Sequence, residues 1–451
     1  MIPGWGLGYF GVIADDLTGA MDVGMQMASK GWKVCVALSE RGFSAARMDS
    51  DFVVVNTQSR NDTPEQAYEK ARDTMQQFRN SGCHAVYKKI DSTLRGHIGA
   101  EIKAILDSGS GHVLVVPALP SLNRTTRHGI HYVNGRKLVD TEYAKDPFSP
   151  ISCSEVAEVI RAEYDMPVGR IGLKRVRNGC LAISEKCSEL ISQGMRILVA
   201  DAEQEADLKN IIAGIKPSDR NRVLCGSAGL FQYFDEAYDI RPPVKSPVES
   251  AVKSRKFPAS SHTSAPLLVI SGSPAAISKK QIRFLEGQRK DVRVLHFDIR
   301  SLPCEDVPGQ ITHISDRILQ EMESGRDVVL DAAGEGKEVL GKEALANRQK
   351  SDRERSILLQ MISDITFSVV TQSSISGLIL FGGDTAYAAA EGLGASGIEI
   401  KGQLEPCIPY GEWMGGVSPG LSVVTKAGGF GKENFLAELF KNFRKDENYD
   451  Q

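Results

Sequence analysis

Tyr9-Phe-Gly-Val-Ile-Ala14 runs directly into Asp15-Asp16-Leu17-Thr18-Gly19-Ala20, and a helical pattern over 21–29 follows. Six continuous apolar residues are too few for a buried helix and lack the alternation of a half-exposed strand. They read as a parallel strand covered on both faces. The same scheme recurs outward from this stretch, with apolar runs at 33–38, 52–56, 84–88, 113–118, 197–200 and 222–225. Helical patterns separate them, among them 63–79, where Thr63 suits the N-cap and Pro64 the first helical position. A second series has runs at 267–271, 293–298, 327–331, 376–381 and 421–426, and its last helix falls at 432–443. Between the two series, 241–265 is rich in proline, serine and lysine and has no helical or strand period, as a linker has. The expectation is an α/β protein of two domains, 1–240 and 266–451, each with a mainly parallel sheet, joined by the Pro/Ser-rich linker 241–265. Ligands in such sheets bind beyond the carboxyl ends of the strands, so the residues following each run are the ones to read.

Composition narrows the function classes. Hydrophobic residues are 41% and charged residues 25% of 451 positions, the usage of a chain that buries a core rather than a disordered one. Glycine, at 43 residues, exceeds the average of roughly 7% and points to tight backbone turns. A net charge of −3 lacks the basic excess of a nucleic-acid binder. No window holds the ~20 apolar residues of a membrane span, and no basic segment precedes the first apolar run, as a signal peptide requires. A soluble cytoplasmic protein without nucleic-acid or membrane partners is expected. The eight cysteines show no CxxC spacing, which argues against a disulfide framework or zinc site. His128 and His131 are spaced i, i+3, yet His131-Tyr-Val133 reads as a strand start rather than half of a metal site.

In the first half, successive strand ends carry Asp15, Asp16 and Thr18, then Thr57-Gln58-Ser59-Arg60, then Lys88-Lys89-Ile90-Asp91-Ser92-Thr93-Leu94-Arg95-Gly96-His97. The fourth end opens a proline-stiffened loop at 117–129 with Arg124 and Arg127. One of Asp15 and Asp16 is expected to cap the helix; both doing so is not. Cations, carboxylates and hydroxyls together suit a small polyhydroxylated anion: arginine or lysine for its carboxylate, aspartate and hydroxyls for its hydroxyl groups.

Strand ends of the second half are of another kind: Ser271-Gly272-Ser273, Gly382-Gly383-Asp384-Thr385, and Ala427-Gly428-Gly429-Phe430-Gly431. Three strand–glycine turn–helix units expose backbone N–H groups at helix starts, a recipe for phosphate oxygens. Two other motifs fail. Gly336 to Glu343 nearly matches a phosphate-binding loop but has glutamate where the metal-ligating hydroxyl belongs. Gly392 to Gly397 matches GxGxxG, yet it follows a helix and precedes a strand, the wrong polarity for a dinucleotide site.

The strings IADDLTGA at 13–20, YKKIDSTLRGHIGAEI at 87–102, PALP followed by RTTRHGIHYVNG within 117–135, GGDTA at 382–386 and KAGGFG at 426–431 resemble the four-carbon acid sugar kinase family, in order and across nearly the whole chain. The resemblance implies phosphorylation of D-threonate, D-erythronate or 3-oxo-tetronate at O4 by ATP, with an N-terminal sugar-acid domain and a C-terminal nucleotide domain. It implies substrate contacts at Asp15, Asp16, Ser59, Arg60, Lys88, Asp91, Thr93 and Arg95, and nucleotide contacts at Ser271, Gly272, Ser273, Gly382, Gly383, Asp384, Thr385 and Gly428. The family's last motif is more usually KSGNFG, so Ala427 and Gly429 depart from it. Thr141 to Pro147 (TEYAKDP) is closer to the tetronate branch than to the oxo-tetronate branch, which leans the reading toward D-threonate.

Phosphoryl transfer calls for a divalent cation. No dedicated metal cage is visible, so Mg²⁺ is expected to arrive with ATP, helped at most by Asp384. Among Asp15, Asp91, Lys88 and Arg95 as catalytic candidates, Asp15 is favoured as the base or hydroxyl-orienting group. Two other readings compete: a non-catalytic two-domain clamp for a sugar acid, and a Schiff-base enzyme using Lys88 or Lys89. The first needs one ligand chemistry where the chain shows two, and the second leaves the glycine turns without a role. A homo-oligomer is compatible with all of them.

Overall fold

The computed structural model describes residues 8–146, 149–215, 219, 221–242, 265–298, 306–332, 344–405 and 407–444. Most of the expected linker, Pro147, Cys304 and the near-match at 336–343 lie outside them. Two compact units result: Met1–Val36 with Ser44–Val244, and Ala37–Phe43 with Lys245–Gln451.

The first unit is built on β1 (Tyr9–Ala14), β2 (Val34–Ala37), β3 (Phe52–Asn56), β4 (Cys83–Lys89), β5 (His112–Val116), β9 (Val168–Ile171), β10 (Ile197–Ala200) and β11 (Arg222–Gly226). They form a sheet in the order β2-β3-β1-β4-β11-β5-β10-β9, parallel in every pairing from β3 to β9. Every residue of β1 is buried, as its unbroken apolar run requires. Phe10, Phe52, Tyr87, Phe231, Phe234 and Tyr238 stack edge-on or tilted in one aromatic cluster on this sheet. A small antiparallel sheet of β6 (Arg124–Arg127), β7 (Ile130–Val133) and β8 (Arg136–Lys137) folds out of the loop after β5.

The second unit has β12 (Leu267–Ser271), β13 (Val292–His296), β14 (Asp327–Asp331), β15 (Gly377–Phe381), β16 (Gly397–Glu405), β17 (Ile408–Met414) and β18 (Ser422–Lys426). Their order is β13-β14-β12-β15-β18-β17-β16. The first five are parallel, and β17 and β16 add an antiparallel end. Its core joins Val269, Ile379, Phe381 and Val424 to Leu285, Leu436 and Phe440. Among the described residues no helix is long and apolar enough to cross a membrane.

Both sheets reverse direction at a definite place. In the first, the chain moves from β1 to β3 on one side and then to β4 on the other. In the second, it moves from β12 to β14 on one side and then to β15 on the other. Such topological switch points open a crevice at the carboxyl edge. Pairing puts Ala14 beside Asn56 and Lys89, and Ser271 beside Phe381, which is beside Lys426. The loops expected to bind ligand therefore leave each sheet at one level.

Local rules place the helices. Pro64–Asn80 starts on a capping box between Thr63 and Gln66 with proline in its first turn, as expected. The first helix begins earlier than its apolar spacing suggests, at Leu17, and of the two aspartates before it Asp16 is the cap. At the GxGxxG string, Gly394 ends the helix Gly383–Leu393 in a left-handed C-cap, a structural use of glycine.

Candidate active site

At the first switch point, Asp15 follows β1 directly and is 2% exposed. Arg60, from the loop after β3, donates through Nε to Asp15 Oδ2 at 2.7 Å and through Nη2 to Asp15 Oδ1 at 3.0 Å. Nη2 also reaches Asp16 Oδ1 at 2.7 Å, the oxygen that accepts the capping bond from the Gly19 amide at 2.9 Å. The neighbours thus part in electrostatics. Burial pushes the Asp15 carboxyl up, but Arg60 and Lys88 outweigh it and hold it below the usual range. Burial wins at Asp16, where the adjacent Asp15 charge adds to it and the pKa is raised. Gly96, with φ +91°, is needed against this group, because a Cβ there would sit 3.0 Å from Asp15 Oδ2.

A second layer supports the first. Lys88 and Glu101 are 0% and 1% exposed and pair at 2.9 Å. Ser59 Oγ donates to Glu101 Oε1 at 2.8 Å and shares a 2.8 Å bond with Thr57 Oγ1. Lys88 also donates to the Lys89 carbonyl at 2.9 Å. Lys88 therefore holds its loops from beneath, its Nζ engaged by Glu101 and the Lys89 carbonyl. Locally Glu101 is only an acid in a helix's first turn, a place the helix dipole favours; burial beside Lys88 reveals its part.

Asp91, after β4, accepts from Arg95 Nε at 2.8 Å and from Thr93 Oγ1. Burial opposes its charge, yet Arg95 and Arg60 hold it well below the ordinary carboxylate range. Arg95 Nη1 reaches Asp146 at 3.1 Å, and the guanidinium lies 5.6 Å over the Tyr143 ring. Arg124 bonds Ser92 Oγ and stands over the same ring. His131 accepts no role as ligand here: it is buried, bonds Thr126 Oγ1 and the Ser92 carbonyl, and burial lowers it to about 4. The eight residues expected on the sugar-acid side thus gather at the carboxyl edge in three bonded groups, Asp15–Arg60–Asp16, Lys88–Glu101–Ser59 and Thr93–Asp91–Arg95, coupled through the charges of Lys88 on Asp15 and of Arg60 on Asp91.

At the second switch point, the glycine turns crowd together. A Cβ on Gly272 would meet Thr385 Oγ1 at 2.5 Å, and one on Gly382 the same oxygen at 3.0 Å. A Cβ on Gly428 would meet Ser273 Oγ at 2.1 Å. Ser271 Oγ is buried and has no hydrogen-bond partner among the described residues, an oxygen held ready for a ligand. The helices Ala276–Gln288 and Gly383–Leu393 start with no side chain bonded to their first amides from the cap residue. Uncapped helix starts, crowded glycines and the Ser271 hydroxyl fit polyphosphate oxygens.

Two features here were not legible beforehand. Arg355, on the helix Ala344–Gln372, donates to Asp384 Oδ2 at 2.7 Å. The charged stretch around 335–356 therefore brings Arg355 onto Asp384. Asp331, closing β14 beside Ser271, pairs with Lys279 at 2.6 Å and with His296 at 3.2 Å. Among the described residues no group of three metal-ligating side chains occurs.

Residues 10–234 match a sugar-binding N-terminal domain family and 268–436 a nucleotide-binding C-terminal domain family. The chain is 31% identical to D-threonate kinase of Salmonella typhimurium over 95% of its length and 96% of that protein's. It is 28% identical to D-erythronate kinase of Heliobacterium modesticaldum, covering 92% of this chain and 93% of that one. With 3-oxo-tetronate kinase of Pseudomonas fluorescens the identity is 25%, over 95% of each. A solved Salmonella typhimurium structure shares the fold with a TM-score of 0.73 at 22% identity, covering 96% of this chain and 98% of that one. The chain belongs to the four-carbon acid sugar kinase family.

Proposed function

We propose that this kinase transfers the terminal phosphoryl group of ATP to the O4 hydroxyl of a four-carbon sugar acid, and that the acid is D-threonate rather than D-erythronate or 3-oxo-tetronate. The observation that carries the reading is the pairing of two site chemistries in one chain: ionised carboxylates among arginines at the first switch point, and glycine-lined amides with the Ser271 hydroxyl at the second. Preference for D-threonate rests on the 31% identical relative and on the Thr141–Asp146 sequence, whose Asp146 contacts Arg95.

In this mechanism Asp15, kept ionised by Arg60, accepts a hydrogen bond from the O4 hydroxyl and aims its oxygen. Phosphoryl transfer passes through a loose transition state in which the attacking hydroxyl holds its proton until late, so a weakly basic carboxylate suffices. Arg60, which spends Nε and Nη2 on Asp15 and Asp16, supplies positive field for the substrate carboxylate together with Arg95. Asp91 and Thr93 brace Arg95. The amides at Gly272, Gly383 and Gly428, with Ser271, Ser273 and Thr385, cradle the phosphates, while the Gly382 amide is spent on the Lys426 carbonyl at 2.8 Å and holds the turn in place. Mg²⁺ neutralises charge on the phosphate oxygens when bound. Asp384, held by Arg355, would be its one carboxylate donor in this reading, with phosphates and water supplying the rest.

An ADP-release assay over D-threonate, D-erythronate and 3-oxo-tetronate tests the proposal. The highest kcat/KM is expected for D-threonate. A higher value for another acid would reassign the substrate, and no turnover with any of them would favour the non-catalytic clamp.

A further inference from the structure

The loop after β18 has its carbonyls gathered around one buried cation. Lys426, the last residue of β18, is 1% exposed. Its Nζ donates to the carbonyls of Ala427 at 3.1 Å, Gly428 at 3.3 Å and Phe430 at 3.1 Å, and to Ser278 Oγ at 3.2 Å. From the helix Ala276–Gln288, Ser278 Oγ donates to the Gly428 carbonyl at 2.8 Å, and Gln281 donates to the carbonyls of Phe430 and Lys432. A trans peptide unit is planar, with its N–H opposite its C=O. Carbonyls of 427, 428 and 430 drawn toward Lys426 therefore turn the amides of Gly428, Gly429 and Gly431 the other way. Among the described residues none of these three amides has a backbone acceptor, and the space off Gly429 is open.

The ammonium also has no counter-ion. Ser278 and Gln281 on the helix and Phe381 on β15, whose ring centroid is 4.3 Å away, carry no charge, and Lys279 on that helix turns to Asp331. No ion pair to Lys426 occurs among the described residues. The geometry points to Lys426 as the positioning residue of the nucleotide site: it sets the outward amides of 428, 429 and 431 from beneath and places an uncompensated positive charge under the polyphosphate. This deepens the reading of the second unit as the nucleotide site and rests on it. It also accounts for alanine at 427 and glycine at 429, where the work falls to backbone rather than side chains.

Burial lowers the free Lys426 ammonium to about 7, and a bound anion raises it again, because an opposite charge favours the charged form. ADP binding at pH well above 7 should therefore take up a proton through this group. Calorimetry of ADP binding to the full-length enzyme, in two buffers of different ionisation enthalpy, is expected to show uptake of most of a proton by the wild type. Lys426→Met should bind ADP about ten- to a hundred-fold more weakly, the loss of charge-assisted bonds, without uptake, and with the sugar-acid KM little changed. Should Lys426→Met fail to fold, Ser278→Ala, expected to weaken ADP several-fold, and the wild-type uptake carry the test. Wild-type binding without proton uptake, or variants of undiminished ADP affinity, would overturn the role of Lys426. A wild type that does not bind ADP at all would instead overturn the nucleotide reading beneath it.

Discussion

Asp15 and Asp16 are neighbours in sequence and opposites in role. Asp16 caps a helix and is pushed up by burial; Asp15 is clamped by Arg60 and held down. Asparagine caps a helix about as well as aspartate, so the two can be separated by the same substitution. Asp15→Asn should lower kcat by roughly 10²–10⁴, the usual loss on removing a group that handles the reacting proton, with ATP binding nearly intact. Asp16→Asn should cost far less. Steady-state kinetics of both variants decide it, and a near-normal kcat for Asp15→Asn would shift the role to Asp91. Asp91 makes a separate prediction about stability. Its folded pKa lies below the ordinary 3.8, so the unfolded chain binds its proton first as pH falls. The stabilisation it gives is complete above that value and is lost as pH drops through the folded pKa. Asp91→Asn should therefore lower Tm at neutral pH, and the gap to the wild type should narrow in acid.

Elements meet at the carboxyl edges because parallel strands of matched register end together, and what sits beneath those ends is as demanding as what faces outward. Glu101, on the helix Ile98–Asp107, and Lys88, at the end of β4, form a buried pair without access to water. Removing one partner of such a pair leaves an uncompensated charge and costs about 3–5 kcal/mol. Glu101→Leu should show that loss in urea denaturation, and adding Lys88→Met should recover much of it. At the other edge, Gly428→Ala drives a methyl group to 2.1 Å from Ser273 Oγ and 3.1 Å from Ala275 Cβ. The displaced turn should raise the KM for ATP by about tenfold or more, a loss like that of one or two good hydrogen bonds. The KM for the sugar acid should stay close to that of the wild type.

Over the whole molecule, sequence order and structural unit do not coincide. Ala37–Phe43 lies in the first half of the chain but belongs to the second unit. There the Leu38 amide bonds the Ser396 carbonyl at 2.9 Å, and a Cβ on Gly42 would fall 1.8 Å from the same oxygen. Gly42→Ala should therefore destabilise the second unit by about 1–3 kcal/mol, the usual cost of overpacking. Hydrogen exchange would report it as faster exchange in β16 and β17, and unchanged protection there would refute the contact's importance.

The sequence by itself determined the strand–helix alternation, the two series of parallel strands and the residues at each strand end, because unbroken apolar runs and glycine turns are local signals. Family membership was legible for the same reason: its motifs are contiguous strings. What needed tertiary structure was every feature made by residues distant in the chain. The antiparallel β16–β17 hairpin has no unbroken apolar run to announce it, since Ile398-Glu399-Ile400 alternates and Lys401-Gly402-Gln403 follows. Glu101 beneath Ser59, Arg355 against Asp384 and Ala37–Phe43 beside Ser396 depend on pairings that no local pattern encodes. The same holds for Lys426: its motif named it, but only the carbonyls folded back upon it show what a buried cation is for.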